Sequence, residues 1–293
     1  MTVSRRGAVT VAVAVALGLS ATACGGSGST SAGPATTARS TAPTSIATTA
    51  PTTPASTTPS TVGPTTTTTR PASVPVVVDG VLKGSSEADR YTYDVTFPQV
   101  QGLAAAAAQD AVNAGIRAGV TAAVDEFVAG TKDLGPPPPE LADPRSSLTG
   151  SYEVSRIDDE LASLRVHMSR YFAPQAHPAG LLLTFNYDLR TGKRLQLSDL
   201  FTAGSPYVDK LSELSRQLLA AQPDFDQLAE FVQPGTEPKA ENFAAWTLTD
   251  QDLVITFAEY QVAPYAMGTP HVSIPFASLR LLIDPSGPLA AYN

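Results

Sequence analysis

The stretch WTLTDQDLVITFAEYQVAPYAMGTPHVSIPF occupies Trp246 to Phe276, and it is either a sheet-forming segment or the lining of an active site. Its first part, Trp246 to Phe257, reads as a β-hairpin, with Phe257 closing a strand. Glu259 to Thr269 then reads as an irregular connection punctuated by Pro264 and Gly268. His271 to Pro275 returns to the sheet as a final strand. The connection gathers Glu259, Tyr260, Tyr265 and Met267 in a nearly uncharged run just before His271. Tyrosine joins an apolar ring to a polar tip, so Tyr260 and Tyr265 are expected to pack their rings and bond their hydroxyls to backbone. Met267 is expected to fill a gap. The stretch therefore predicts structure first, with Glu259, Tyr260, Tyr265 and His271 as candidates for a binding surface.

Similar patterns recur on its N-terminal side. YTYDVTF (Tyr91 to Phe97) alternates Tyr91, Tyr93, Val95 and Phe97 along one face, the period of a half-buried strand. Val112, Ile116, Val120 and Val124 recur every four residues, with Phe127 near the end of the stripe and Gly130 beyond it, which predicts an amphipathic helix. LGPPPPELADP (Leu134 to Pro144) reads as a stiff loop. Strands are predicted over Tyr152 to Ile157, Leu161 to Tyr171 and Leu181 to Leu189. The last of these turns back at Thr191-Gly192, where glycine supplies a positive φ. A second helix is predicted with Ser205 as N-cap, Pro206 as first helical residue and an apolar stripe of Val208, Leu211, Leu214 and Leu218. A shorter one spans Phe225 to Val232, ahead of Pro234-Gly235. Hairpins dominate and helices are interspersed. The expected class is α+β: a largely antiparallel or mixed sheet packed with two main helices.

The chain has 293 residues, a formal net charge of −8 and a pI near 4.9. Its acidic balance and the lack of a basic cluster beyond Arg5-Arg6 exclude the footprint needed for nucleic acid. Those two arginines precede the apolar run Gly7 to Ser20 and the small residues before Cys24, the pattern of a secretory signal peptide over residues 1–23. Cys24 is the only cysteine, and it stands where a bacterial lipobox places the residue that becomes lipidated. A lipid there would anchor the chain to the outer face of the cytoplasmic membrane. Ala21-Thr22-Ala23 equally fits ordinary signal peptidase, which would release a secreted protein. Residues 24–73 are threonine, serine, proline and alanine with almost nothing to bury, so a disordered tether is expected, with the folded part over 74–293.

The residues that carry chemistry are sparse. Of three histidines, His167 falls on the polar face of a predicted strand. His177 lies in a proline-bounded turn, YFAPQAHPAG, beginning at Tyr171, and His271 opens the last strand. No H-E-x-x-H or C-x-x-C spacing suggests zinc, and no G-x-S-x-G elbow or glycine-rich phosphate loop stands out. Asp158, Asp199, Asp250 and Asp252 sit at turns or caps, where carboxylates satisfy backbone donors. No catalytic, metal or cofactor residues are expected.

From LTFNYDLRTGKRLQLSDLF (Leu183 to Phe201), through the helix YVDKLSELSRQLL, to NFAAWTLTDQDLVITFAEYQVAPYAMGTPHVSIPFASLRLLI (Asn242 to Ile283), the chain resembles the RsiV-type extracellular domain family. The resemblance rests on a D-L-x-T-G-K hairpin, an L-x-D-L-F corner, a helix, and the F-x-x-Y-x-V-A-P-Y-A-x-G run, in that order. It is stronger over 181–283 and weaker over 74–180, where YFAPQAHP lacks the glycines usual in the family. Relatives include lysozyme-sensing anti-sigma factors, a secreted mycobacterial immunogenic protein and noncatalytic domains of peptidoglycan deacetylases. The resemblance implies an α+β domain that recognises an extracellular protein or a peptidoglycan-type ligand. Tyr171, His177, Glu259, Tyr260, Tyr265 and His271 form the candidate binding surface. A wall hydrolase pairing His177 or His271 with a carboxylate, and a structural envelope lipoprotein, are the alternatives.

Overall fold

The computed structural model describes residues 74–134, 144–225 and 227–293, all within one compact unit, Thr67–Asn293. The expected signal peptide, Cys24, the tether and most of the proline-rich loop lie outside the described residues.

The first sheet has six strands in the order β1-β2-β3-β4-β5-β6. They are β1 (Val76–Ser86), β2 (Tyr91–Gln101), β3 (Ser146–Ile157), β4 (Leu161–Tyr171), β5 (Ala179–Asp188) and β6 (Lys193–Arg194). Every pairing is antiparallel except β2 with β3, which run parallel. A parallel pair needs a long crossover, and α1 (Ala106–Lys132) supplies it. The sheet is therefore mixed, and the class is α+β, as the sequence predicts.

β1 was not legible as a strand. It passes straight through Asp79-Gly80 and pairs from Val76↔Gln101 to Ser86↔Tyr91. Gly80 lies under Phe97: an added Cβ would sit 2.6 Å from the Phe97 ring. The glycine thus makes room for an aromatic on the neighbouring strand.

α1 buries the predicted stripe, with Val112, Ile116 and Val120 fully inaccessible. Burying each aliphatic side chain contributes roughly 2 kcal/mol. The stripe packs against Val95, Phe97, Leu148, Leu164 and Val166, all on one face of the sheet. The helix does not stop before Gly130 but continues to Lys132. Gly130 lets the Phe172 ring pack against the helix, and Phe172 in turn stacks on Phe127 at 5.4 Å.

Residues after Arg194 build a second core around a three-stranded antiparallel sheet, β7 (Trp246–Leu248), β8 (Asp252–Thr256) and β9 (His271–Pro275). α2 (Tyr207–Ala220), α3 (Ala229–Gly235) and the single turn α4 (Phe276–Leu279) complete it. Leu211, Phe243, Leu253, Ile255 and Phe257 are wholly buried there. The start of α2 differs from expectation. Pro206 is the N-cap and its carbonyl accepts from Lys210 N, whereas the Ser205 hydroxyl is buried without a partner.

A polar seam joins the two sheets. Ser163 Oγ donates to Asn186 Oδ1 at 2.6 Å and accepts from Leu248 N at 2.7 Å, while Asn186 Nδ2 donates to Trp246 O at 2.9 Å. Both side chains are buried, so these bonds satisfy groups that water cannot reach.

Candidate functional site

Strand alternation gives the six-stranded sheet two unlike faces. Leu164, Val166 and Met168 of β4 point to α1, and Ser163, Arg165, His167 and Ser169 point away. Gly180 of β5 pairs with Ser169, so its missing Cβ would project from that same outer face. The Glu259 carboxylate occupies this space, with Oε1 2.7 Å from where the Cβ would be, and Oε2 accepts from Gly180 N at 3.1 Å. The irregular connection after β8 is thereby fastened over the outer face at the first turn of β5.

Gln261 holds the other side of the connection. Its Oε1 accepts from Ala258 N, and its Nε2 donates to the carbonyls of Gly235 and Asn242 at 2.9 and 3.0 Å. Val262 and Ala263 follow, wholly buried. Between these two anchors Tyr260 adopts φ 66°, a left-handed conformation that is rare for a bulky residue, and is 56% exposed. Its ring stacks on Tyr265 at 5.9 Å, and Tyr265 lies 4.2 Å from the ring of His177. Tyr265 Oη donates to Pro178 O at 3.0 Å, and His177 Nδ1 lies 2.9 Å from the same carbonyl. An aromatic row of Tyr260, Tyr265 and His177 thus spans the two loops at one end of the outer face.

Four of the six candidate surface residues, His177, Glu259, Tyr260 and Tyr265, come together in this way. The other two do not join them. Tyr171 ends β4 opposite Ser147 and makes no ring contact with the row. His271 opens β9 opposite Thr256, exposed, and its carbonyl accepts from Gln222 Nε2. Among the described residues no hydrogen bond or ring contact joins it to His177. The expectation for the tyrosines divides as well: Tyr265 bonds backbone as anticipated, while Tyr260 presents its ring to solvent. Gln261, whose amide fixes the loop, carried no signal in the sequence, because its partners arrive from distant segments.

Elsewhere, a concavity of about 550 Å³ lies beside the β5–β6 turn, with Glu160, Asp188, Asp199 and Asp284 on its walls. These carboxylates have local partners. Asp188 accepts from Arg190 N, Asp284 from Ser286 N, and Glu160 from Arg190 Nη1. Burial alone would raise the Asp199 pKa, but Gln196 N–H and Lys193 hold it below the ordinary carboxylate value. Among the described residues no hydrogen bond links His177 or His271 to a carboxylate. No group of three or more His, Cys, Asp or Glu is placed to hold a metal, and no helix is long and apolar enough to cross a membrane, again among the described residues. Burial first, and then the charge of Arg165, lower the pKa of His167, with Glu153 opposing them.

Residues 198–277 match the family model described as protein of unknown function (DUF3298). The chain is 26% identical over 157 residues to peptidoglycan-N-acetylmuramic acid deacetylase PdaC of Bacillus subtilis (strain 168), a match covering 54% of this chain and 33% of PdaC. It is 25% identical over 104 residues to esterase Rv3036c of Mycobacterium tuberculosis (strain ATCC 25618 / H37Rv), covering 36% of this chain and 44% of that protein. The matches therefore span less than half the length of either relative. Crystal structures of DUF3298 family proteins from Pseudomonas aeruginosa PAO1 and Bacteroides fragilis NCTC 9343 share the fold. Their TM-scores are 0.52 and 0.54 at 18% and 16% identity, over 72% and 74% of this chain and 94% and 96% of theirs.

Proposed function

We propose that this DUF3298-containing chain is an exported, noncatalytic binding module of the cell envelope that recognises an extracellular protein or a cell-wall polymer. The observation that carries the reading is the display of Tyr260. A bulky aromatic is held in a left-handed backbone conformation, pinned on both sides, and turned out to solvent against Tyr265, whose ring in turn meets His177. Strained residues of this kind cluster at ligand clamps, and tyrosine is enriched at binding hot spots. The peptidoglycan named in the PdaC relative supports an envelope setting. The resemblance of residues 181–283 to RsiV-type extracellular domains supports a recognition role. The lipobox-like placement of Cys24 and the Thr/Pro-rich segment after it support a lipid anchor with a spacer. A wall hydrolase working through His177 or His271 is less favoured, since among the described residues neither histidine is hydrogen-bonded to a carboxylate.

The test is a retention assay. The purified chain is immobilised and challenged in turn with lysozyme, with protein-free peptidoglycan sacculi and with envelope extract. Retention of at least one, weakened by Tyr260→Ala, is the expected result. Retention of none of them, or retention indifferent to Tyr260→Ala, refutes the proposal. For the anchor, Cys24→Ser is expected to move the protein from the membrane to the soluble fraction, and unchanged fractionation refutes it.

A further inference from the structure

The outer face of the six-stranded sheet has a chemistry of its own. Away from the seam with β7, it presents Thr92 of β2, Thr149 and Ser151 of β3, and Ser169 of β4, all exposed. His167 sits half-buried among them, opposite Ser151 on one side and Leu182 on the other. The charges on this face are paired across adjacent strands. Lys83 faces Asp94 with its Nζ 2.8 Å from Oδ2, and Arg165 faces Glu153 with its Nη2 2.6 Å from Oε2. The face therefore carries rows of hydroxyls and paired charges with little net charge, interrupted by the apolar Val81 and Leu182. Neighbouring strands repeat these rows every ~4.8 Å, a spacing of the order of one sugar ring. One end is closed by β7 at Ser163 and Asn186, and the Glu259–Gly180 contact brings the aromatic row to the start of β5.

Building on the binding-module reading, we propose that this outer face is the track for an uncharged glycan chain, with Tyr260 and Tyr265 as the stacking platform at its end. The chemistry selects that occupant. A face without excess positive charge does not neutralise phosphates. One dominated by hydroxyls and paired charges, with Val81 and Leu182 as its apolar members, lacks the continuous apolar area that an acyl chain or the greasy centre of a protein interface needs. A polyhydroxylated chain matches it twice: its hydroxyls exchange hydrogen bonds with Ser and Thr, and the apolar side of a sugar ring lies flat on an aromatic. Glu259, already bonded to Gly180 N, fixes the platform relative to the track.

The purified chain is titrated calorimetrically with N-acetylglucosamine hexamer and assayed in parallel for retention on protein-free sacculi and on lysozyme. The variants are Ser151→Arg and Thr149→Lys, which project charge from the centre of the track, and Tyr260→Ala at the platform. Thermal unfolding of each verifies the fold, and two separate track variants guard against one that fails to fold. The expected result is hexamer binding that weakens by about tenfold or more in both track variants and in Tyr260→Ala. Hexamer binding lost only in Tyr260→Ala overturns the track while leaving the aromatic site standing. Retention of lysozyme without hexamer binding overturns the glycan and preserves the binding module. Retention of nothing overturns both.

Discussion

Tyr260 offers a test in which backbone strain and ligand contact separate cleanly. An L-residue in the left-handed region costs about 1–2 kcal/mol, a cost that glycine escapes. Replacing alanine by glycine ordinarily destabilises by about 0.4–1 kcal/mol, because the unfolded chain gains freedom. Tyr260→Ala and Tyr260→Gly both delete the ring and its stacking on Tyr265, so their difference isolates the backbone at φ 66°. Subtracting the entropy term from the strain term leaves Tyr260→Gly more stable than Tyr260→Ala by about 0.5–1 kcal/mol, the reverse of the usual order. For a folded region of this size the two melting midpoints should differ by about 1–4 °C. Urea unfolding with matched slopes gives the free energies directly. Binding should be weakened equally in the two variants, because neither carries the ring. A Tyr260→Gly variant less stable than Tyr260→Ala would show that the loop is not held in the left-handed conformation, and the argument from a strained display would fall.

Other outcomes follow from the cores. An alanine Cβ at Gly115 would run into the Tyr187 hydroxyl, so Gly115→Ala should cost about 1–3 kcal/mol. Tyr187→Phe removes a buried hydroxyl that has no partner and should be close to neutral; combined with Gly115→Ala it should recover much of the loss, and a double-mutant cycle showing additivity would refute the clash. Ser163→Ala strips the acceptor from Leu248 N and the donor from Asn186 Oδ1, and should cost about 1–3 kcal/mol in urea unfolding; a neutral result would mean that water replaces the hydroxyl. The lowered pKa of His167 means that the unfolded chain takes up its proton first as pH falls below the ordinary value of 6.5. Stability should therefore decline from there down to the lowered folded pKa, and His167→Gln should flatten this window in melting curves recorded from pH 7.5 to 5.

Periodicity revealed those elements whose environment is uniform along their length. β4 was legible to the residue because Leu164, Val166 and Met168 all meet α1 while the residues between them do not. The stripe of α1 was equally plain, but its C-terminal end was not, since Gly130 serves the packing of Phe172 and does not stop the helix. β1 escaped notice because its glycine answers to Phe97 on the next strand, a fact that local reading does not contain. The same holds for the site. The aromatic residues drew attention by type, but what sets them apart is the grip of Glu259 on Gly180 and of Gln261 on Gly235, partners 79 and 26 residues away. His177 and His271 were both candidates in the sequence, and it is the ring contact of His177 with Tyr265, against the strand pairing of His271 with Thr256, that separates them.

The seam at Ser163 bears on how this architecture can be cut and recombined. The segment that recurs as a recognisable family, residues 198–277, contains β7 but none of the side chains that satisfy its backbone from the neighbouring sheet. It also lacks Leu161, Ile283 and Leu289, which belong to its core. Excised, it would carry a bare amide at Leu248 and an open hydrophobic flank. The portion whose sequence is most recognisable is therefore smaller than the portion that folds. A transplant of the aromatic loop into another scaffold must take β4 and β5 with it.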